Sequence, residues 1–296
     1  MTPLDLTPAL LRDWPLPQPK PGSKDDRGKV LVVAGSAELP GTAVLAGAAV
    51  LRVGAGRLQI ATVESCAVAI GVAMPEARVI PLTEVSDGGA AAEAALTKLT
   101  PRAEKVDAVL IGTGMTVGAD TTALTLGLRR AVPDLPFVFD AAATTQLRDH
   151  ADAIRAAGGG GVITPHAGEA ARLLGKTREE IEADPLASAR EIADLLGVVV
   201  VMKGAETHIV APDGQVWLFR GGCVGLATSG SGDVLGGLIA GLLARGADPA
   251  QAAAWGVSLH GEAGQVLEGR IGPLGFLARE LAGEVPRLLH RLAANQ

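Results

Sequence analysis

A mainly parallel, doubly wound α/β sheet flanked by helices is the fold class this sequence predicts, on three observations. Short continuous apolar runs recur from Val30 onward, and Ala-rich stretches of helical length separate them. The glycine and polar residues that interrupt this pattern gather just after the runs. Strands buried on both faces need no apolar–polar alternation. Regular strand–helix alternation favours parallel pairing through right-handed crossovers.

Residues 1–27 are rich in Pro, Lys and Asp, and Pro15, Pro17, Pro19 and Pro21 predict irregular chain up to the first strand. The predicted strands are Val30–Ala34, Leu58–Thr62, Arg78–Pro81, Ala108–Gly112, Phe137–Asp140, Gly161–Thr164 and Val198–Met202. Helices are expected at Thr42–Val53, Thr121–Ala131 and Leu186–Leu196 among others. Gly158–Gly161, the one low-complexity patch, reads as a turn entering a strand. Thr207–Val210 and Gln215–Phe219, joined by Pro212-Asp-Gly214, read as a β-hairpin. From Asp233 onward the chain reads as mostly helical. The expected organisation is an N-terminal extension, 1–27, before a single domain, 28–296.

Composition narrows the function. With 296 residues, 48% hydrophobic and 20% charged, the chain can bury the core of one large α/β unit. It has no Tyr, four Phe and three Trp, and 26 basic against 32 acidic residues give a net charge of -6. That argues against nucleic acid, which calls for excess positive charge or stacking aromatics. Cys66 and Cys223 lie in unrelated contexts and are expected to be reduced thiols. The N-terminus has neither a basic nor an apolar targeting segment, and apolar runs such as Val198–Met202 are far too short to span a membrane. A cytoplasmic protein is expected.

The most informative stretch is Gly225-Leu-Ala-Thr-Ser-Gly-Ser-Gly-Asp233, followed by the apolar run Val234–Leu243. Glycines at 225, 230 and 232 let backbone N–H groups approach an anion. If the run is a helix, its free amides and positive dipole end point at the loop, making a phosphate site without basic side chains. A carboxylate there repels an anion, so Asp233 suits a base that takes a proton from an attacking hydroxyl beside a phosphoryl group. The adjacent amides are expected to ease its ionisation. A plain helix start, with Asp233 only complementing the dipole, fits the same residues.

Ligands of α/β sheets gather outside the carboxyl ends of the strands, and polar or glycine residues follow five of the predicted strands here. They are Ala34-Gly35-Ser36 with Gly41-Thr42, Gly112-Thr-Gly114, Asp140, Thr164-Pro-His-Ala-Gly-Glu169 and Lys203-Gly-Ala-Glu-Thr207. No P-loop, Rossmann glycine fingerprint, nucleophile elbow or histidine pair with metal-ligand spacing occurs.

These motifs, with Gly28–Ser36, Pro40–Gly47 and Arg52–Gly56, resemble the ADP/ATP-dependent (S)-NAD(P)H-hydrate dehydratases of ribokinase-like fold, over about Gly28 to Leu292. The resemblance implies a three-layer sandwich and repair of damaged nicotinamide cofactors. The C6 hydroxyl of (6S)-NADHX or NADPHX would be phosphorylated from ADP or ATP, and phosphate would leave. Asp233 would be the base, and the amides of Gly230, Ser231 and Gly232 would form the anion hole. Lys203, Gly204, Ala205, Glu206, Thr207 and Gly232 would hold the nucleotide, while Thr42, Gly114, His166 and Asp233 would line the hydrate site. Mg2+ is implied, with no residue assigned to it. A homo-oligomer is expected, a tetramer being one form open to it. Thr42 stands where the family usually has Ala, and Ser229 replaces a Gly. The rival readings are a ribokinase-like kinase of a vitamin alcohol and a non-catalytic nucleotide sensor.

Overall fold

The computed structural model describes residues 2–18, 22–158 and 160–293. Ten strands form one sheet: β1 (Leu4–Asp5), β2 (Lys29–Val33), β3 (Arg57–Val63), β4 (Arg78–Leu82), β5 (Ala108–Ile111), β6 (Phe137–Phe139), β7 (Gly161–Ile163), β8 (Val199–Met202), β9 (Thr207–Val210) and β10 (Val216–Phe219). Their order is β1-β10-β9-β8-β7-β6-β5-β2-β3-β4. The seven strands β2 to β8 are all parallel. The expected hairpin closes antiparallel onto β8, its turn made by Gly214 at φ +86°. Every predicted strand is present, its ends displaced by no more than two residues.

The helices are α1 (Pro8–Asp13), α2 (Gly41–Arg52), α3 (Glu64–Ala73), α4 (Ala92–Ala103), α5 (Ala119–Ala131), α6 (Ala151–Arg155), α7 (Ala167–Leu174), α8 (Arg178–Ala183), α9 (Pro185–Leu196), α10 (Ser231–Ala244), α11 (Pro249–Ile271) and α12 (Ala278–Ala293). Alternate strand residues feed two separate cores. Val30, Val32, Leu110 and Val201 pack with α2, α10, α11 and α12; Leu31, Val33, Ile111 and Val200 pack with α4, α5, α7 and α9. A period of two in a strand buried on both faces dictates that division. The result is a three-layer, ribokinase-like sandwich. Small residues let α10 lie against α2: a Cβ on Gly237 would stand 2.3 Å from the Ala46 carbonyl oxygen.

Two features position a site. Parallel order brings the carboxyl ends of β2 to β8 to one edge. There the chain reverses direction, since β2 has β3 on one side and β5 on the other. That reversal leaves a crevice between the β2 and β5 loops.

The N-terminal segment corrects the sequence reading. Instead of running irregularly to β2, it forms β1, parallel to β10, and α1, with Thr7 as N-cap and Pro8 in the first turn. Proline is compatible with that first turn because its missing N–H has no partner to lose. Leu6, Leu11 and Leu16 are buried. Trp14 stacks on Trp217 with ring centroids 5.3 Å apart, and its carbonyl accepts from Trp255 Nε1 at 2.9 Å. All three tryptophans thus meet at this edge. A 3-10 turn at Lys24–Arg27, capped by Ser23, leads into β2. Pro19, Pro21 and Gly159 lie outside the described residues, so the readings made of them are not addressed.

Candidate active site

The glycine loop opens onto α10 as its sequence predicts. Gly230 is the N-cap, at φ +88°, and no side chain caps the helix. A side chain there would be strained by that φ, and its Cβ would stand 2.4 Å from Leu45. The Ser231 N–H donates to the Thr228 carbonyl at 3.2 Å, and the Val234 N–H to the Gly230 carbonyl at 3.3 Å. The Ser231 amide is therefore engaged within the loop. Among the described residues, the Gly232 and Asp233 amides are left with no protein acceptor at the positive end of a 14-residue helix.

Beside them lies a buried charge cluster carried by three neighbouring strands. Asp140, directly after β6, is 2% exposed. Its Oδ1 accepts from Thr164 Oγ1 at 2.6 Å, and Oδ2 from Thr113 Oγ1 at 3.3 Å. Lys203, directly after β8, places Nζ 3.4 Å from Asp140 and 3.6 Å from Glu169 of α7. A Cβ on Gly232 would lie 3.4 Å from that same ammonium, which puts Lys203 against the start of α10. Burial works against the charge on Lys203, yet Asp140, Glu169 and Asp233 outweigh it and hold its pKa above the ordinary value. Asp233 shows the converse. Burial, reinforced by Asp140 and Glu169 and opposed by Lys203, pushes its carboxyl up to about 7. The expectation of an eased ionisation is thereby corrected, because desolvation and like charges outweigh the favourable terms.

At the crevice, Thr42 opens α2 and Gly114 follows β5. A Cβ on Gly114 would stand 2.0 Å from Thr42 Oγ1, so the two predicted hydrate-site residues are in contact. The Thr42 hydroxyl donates to the Leu39 carbonyl at 2.8 Å. His166 is the N-cap of α7: Nδ1 accepts from the Gly168 and Glu169 amides at 2.9 and 3.3 Å, and the Glu169 carboxylate accepts from the His166 N–H. Its side chain is still 54% exposed, with Nε2 3.6 Å from Glu169 Oε1. Lys203 pairs backbone to backbone with the Pro165–His166 turn. Gly204, Ala205 and Glu206 then form an exposed turn before Thr207 starts β9, and Glu206 pairs with Arg220.

The sequence reading assigned no role to Thr113, Asp140, Thr164 or Glu169. Each follows a strand or starts the next helix, but only the strand order reveals that they share one cluster. His260 was also missed. It lies on α11, with Nε2 2.9 Å from Ser231 Oγ and 3.0 Å from the Ser231 carbonyl oxygen. A single histidine in a small-residue helix carries no signal in sequence.

The model of the NAD(P)H-hydrate dehydratase family matches residues 30–287. The chain belongs to that family. An ADP-dependent (S)-NAD(P)H-hydrate dehydratase of Xanthomonas campestris is 45% identical, over 97% of this chain and 96% of that one. A Bifunctional NAD(P)H-hydrate repair enzyme Nnr of Thermofilum pendens is 36% identical over 94% of this chain and 53% of its own length. The chain therefore spans about half the length of that bifunctional relative. The ADP/ATP-dependent NAD(P)H-hydrate dehydratase of Bacillus subtilis, co-crystallised with ATP and Mg2+, superposes with a TM-score of 0.82 at 29% identity, covering 99% of each chain. This dehydratase family member thus shares both its fold and its extent with a nucleotide-bound relative.

Proposed function

We propose that this family member restores NADH and NADPH from their (6S) hydrates, using ADP or ATP as phosphoryl donor. The observation that carries the reading is Asp233. It is a desolvated carboxyl held near 7, at a helix start with two amides free, beside the half-buried Lys203. A base with a pKa near working pH suits proton transfer. Asp233 would take the C6 hydroxyl proton as that oxygen forms its bond to phosphorus and the nucleotide departs. Phosphate would then leave with a proton from the neighbouring ring carbon, restoring the double bond. The Gly232 and Asp233 amides and the Lys203 ammonium would stabilise charge on the phosphoryl oxygens.

The remaining site residues are assigned in the same spirit. Lys203 to Thr207, with Gly232, would hold the nucleotide, the exposed 204–206 turn lying against its adenosine. Thr42, Gly114 and the half-exposed ring of His166 would line the hydrate site, and the Gly230 to Gly232 loop would form the anion hole. Among the described residues no three His, Cys, Asp or Glu side chains converge into a metal cage. The space between Asp140 and Glu169 is taken by the Lys203 ammonium. Glu169, the less buried of the two carboxylates, would be the protein ligand for a Mg2+ held mainly by the nucleotide's phosphates. When bound, the ion would neutralise phosphoryl charge. No described helix is long and apolar enough to cross a membrane. A cytoplasmic homo-oligomer completes the proposal.

The test is recovery of absorbance at 340 nm from purified NADHX and NADPHX, with ADP and ATP in parallel. No recovery with either nucleotide overturns the reading. Recovery by the Asp233→Asn enzyme at the parental rate overturns the role of Asp233.

A further inference from the structure

We propose that His260 is a positioning residue that turns the Ser231 hydroxyl into a third donor of the anion loop. The inference rests on the function just proposed. His260 is itself half-buried on α11, a helix whose residues Ala252, Ala253, Trp255, Val257 and Leu259 are buried. A polar ring in such an interface is unfavourable unless its hydrogen bonds are met. Its Nε2 approaches two atoms of one residue, the Ser231 carbonyl oxygen at 3.0 Å and Oγ at 2.9 Å.

A carbonyl oxygen can only accept, so the bond to it requires a proton on Nε2. Burial pushes the ring's pKa down to about 4, so near neutral pH the imidazole is uncharged and carries one proton only. That proton is the one on Nε2. Ser231 Oγ, facing the same N–H, therefore accepts as well. A hydroxyl that accepts keeps its own hydrogen for another partner. Ser231, 5% exposed, is the first residue of α10, adjacent to the free Gly232 and Asp233 amides, so in the proposed arrangement this hydrogen would be turned toward the phosphoryl oxygens. With the proton on Nδ1 instead, Ser231 would donate into the ring and the loop would lose a donor. The Ser231 amide is already committed to Thr228, which makes the hydroxyl this residue's only contribution to the anion.

The experiment compares Ser231→Ala, His260→Leu, the double variant and His260→Gln, whose amide can donate at the same reach, in NADHX turnover per folded molecule. Loss of one donor to developing charge lowers kcat on the order of 10²-fold. Both single variants are expected to show that loss at unchanged KM for the hydrate. The double variant is expected to be no worse than the poorer single, because both act through one hydrogen bond. His260→Gln is expected to recover most of the rate. A 15N spectrum of His260 in the parent enzyme is expected to report the Nε2–H tautomer. A purely structural histidine would lower the melting temperature of His260→Leu while leaving kcat intact; that result overturns the inference, as does an Nδ1–H ring or a double variant whose losses multiply. A parent enzyme that restores no absorbance overturns the functional reading and this inference with it. An active parent with unaffected variants overturns this inference alone.

Discussion

In the proposed mechanism, the proton that Asp233 takes in chemistry is the same one through which it affects stability. Its carboxyl ionises near 7 in the folded protein, against an ordinary 3.8. Between those pH values only the unfolded chain loses the proton, so the contribution to stability is full below about 4 and gone above about 7. Asp233→Asn removes that dependence. Its melting temperature should match the parent's near pH 4 and exceed it by at least about 3 °C at pH 8. Turnover should fall on the order of 10²-fold or more, and the rise of kcat/KM through pH 7 should vanish. A flat difference in melting temperature across pH would show that the carboxyl is not desolvated. His166 caps α7, and one substitution can separate that duty from its proposed contact with the hydrate. Asn can cap α7 through its side-chain oxygen, so His166→Asn should melt within about 1 kcal/mol of the parent. Its KM for the hydrate should nonetheless rise while that for the nucleotide holds, and equal changes in both would count against contact with the nicotinamide half. The place of Asp233 at a helix start behind a glycine loop was legible from sequence because that loop is contiguous. Its raised pKa was not, since it comes first from burial in the folded chain and then from Asp140 and Glu169, far away along the sequence.

At the scale of elements, the parallel strands were readable because each is a continuous apolar run between glycines. The N-terminal segment was not. Four prolines obscured β1 and α1, and nothing local announces that Trp14 will meet Trp217 and Trp255. A free extension and a docked one make opposite predictions for Leu11, which is 1% exposed. Leu11→Ala should lower unfolding free energy in urea by about 2–5 kcal/mol, as truncation of a core leucine does. An unchanged midpoint would mean that the segment does not dock in solution. α10 shows the reverse case: its glycines announced a close-packed helix, and Gly237 against Ala46 is that packing.

For the whole molecule, the reversal of strand order between β2 and β5 draws the two halves of the proposed hydrate site together, with Thr42 from one loop and Gly114 from the other. Gly114 has φ +65°, and a methyl group there would collide with Thr42. Gly114→Ala should therefore raise KM for the hydrate on the order of tenfold or more, with nucleotide affinity held. Loss of both affinities would place the nucleotide in the same crevice. Sequence exposed each strand end as unusual but not their adjacency, which is a property of topology. The meeting of the tryptophans has an optical consequence. With no tyrosine in the chain and every indole at one sheet edge, its ultraviolet emission is a local gauge of whether residues 2–18 are docked. An unfolding trace recorded by that emission and one recorded by loss of turnover watch different ends of the sheet. Any gap between the two would time the release of the strap relative to the collapse of the site.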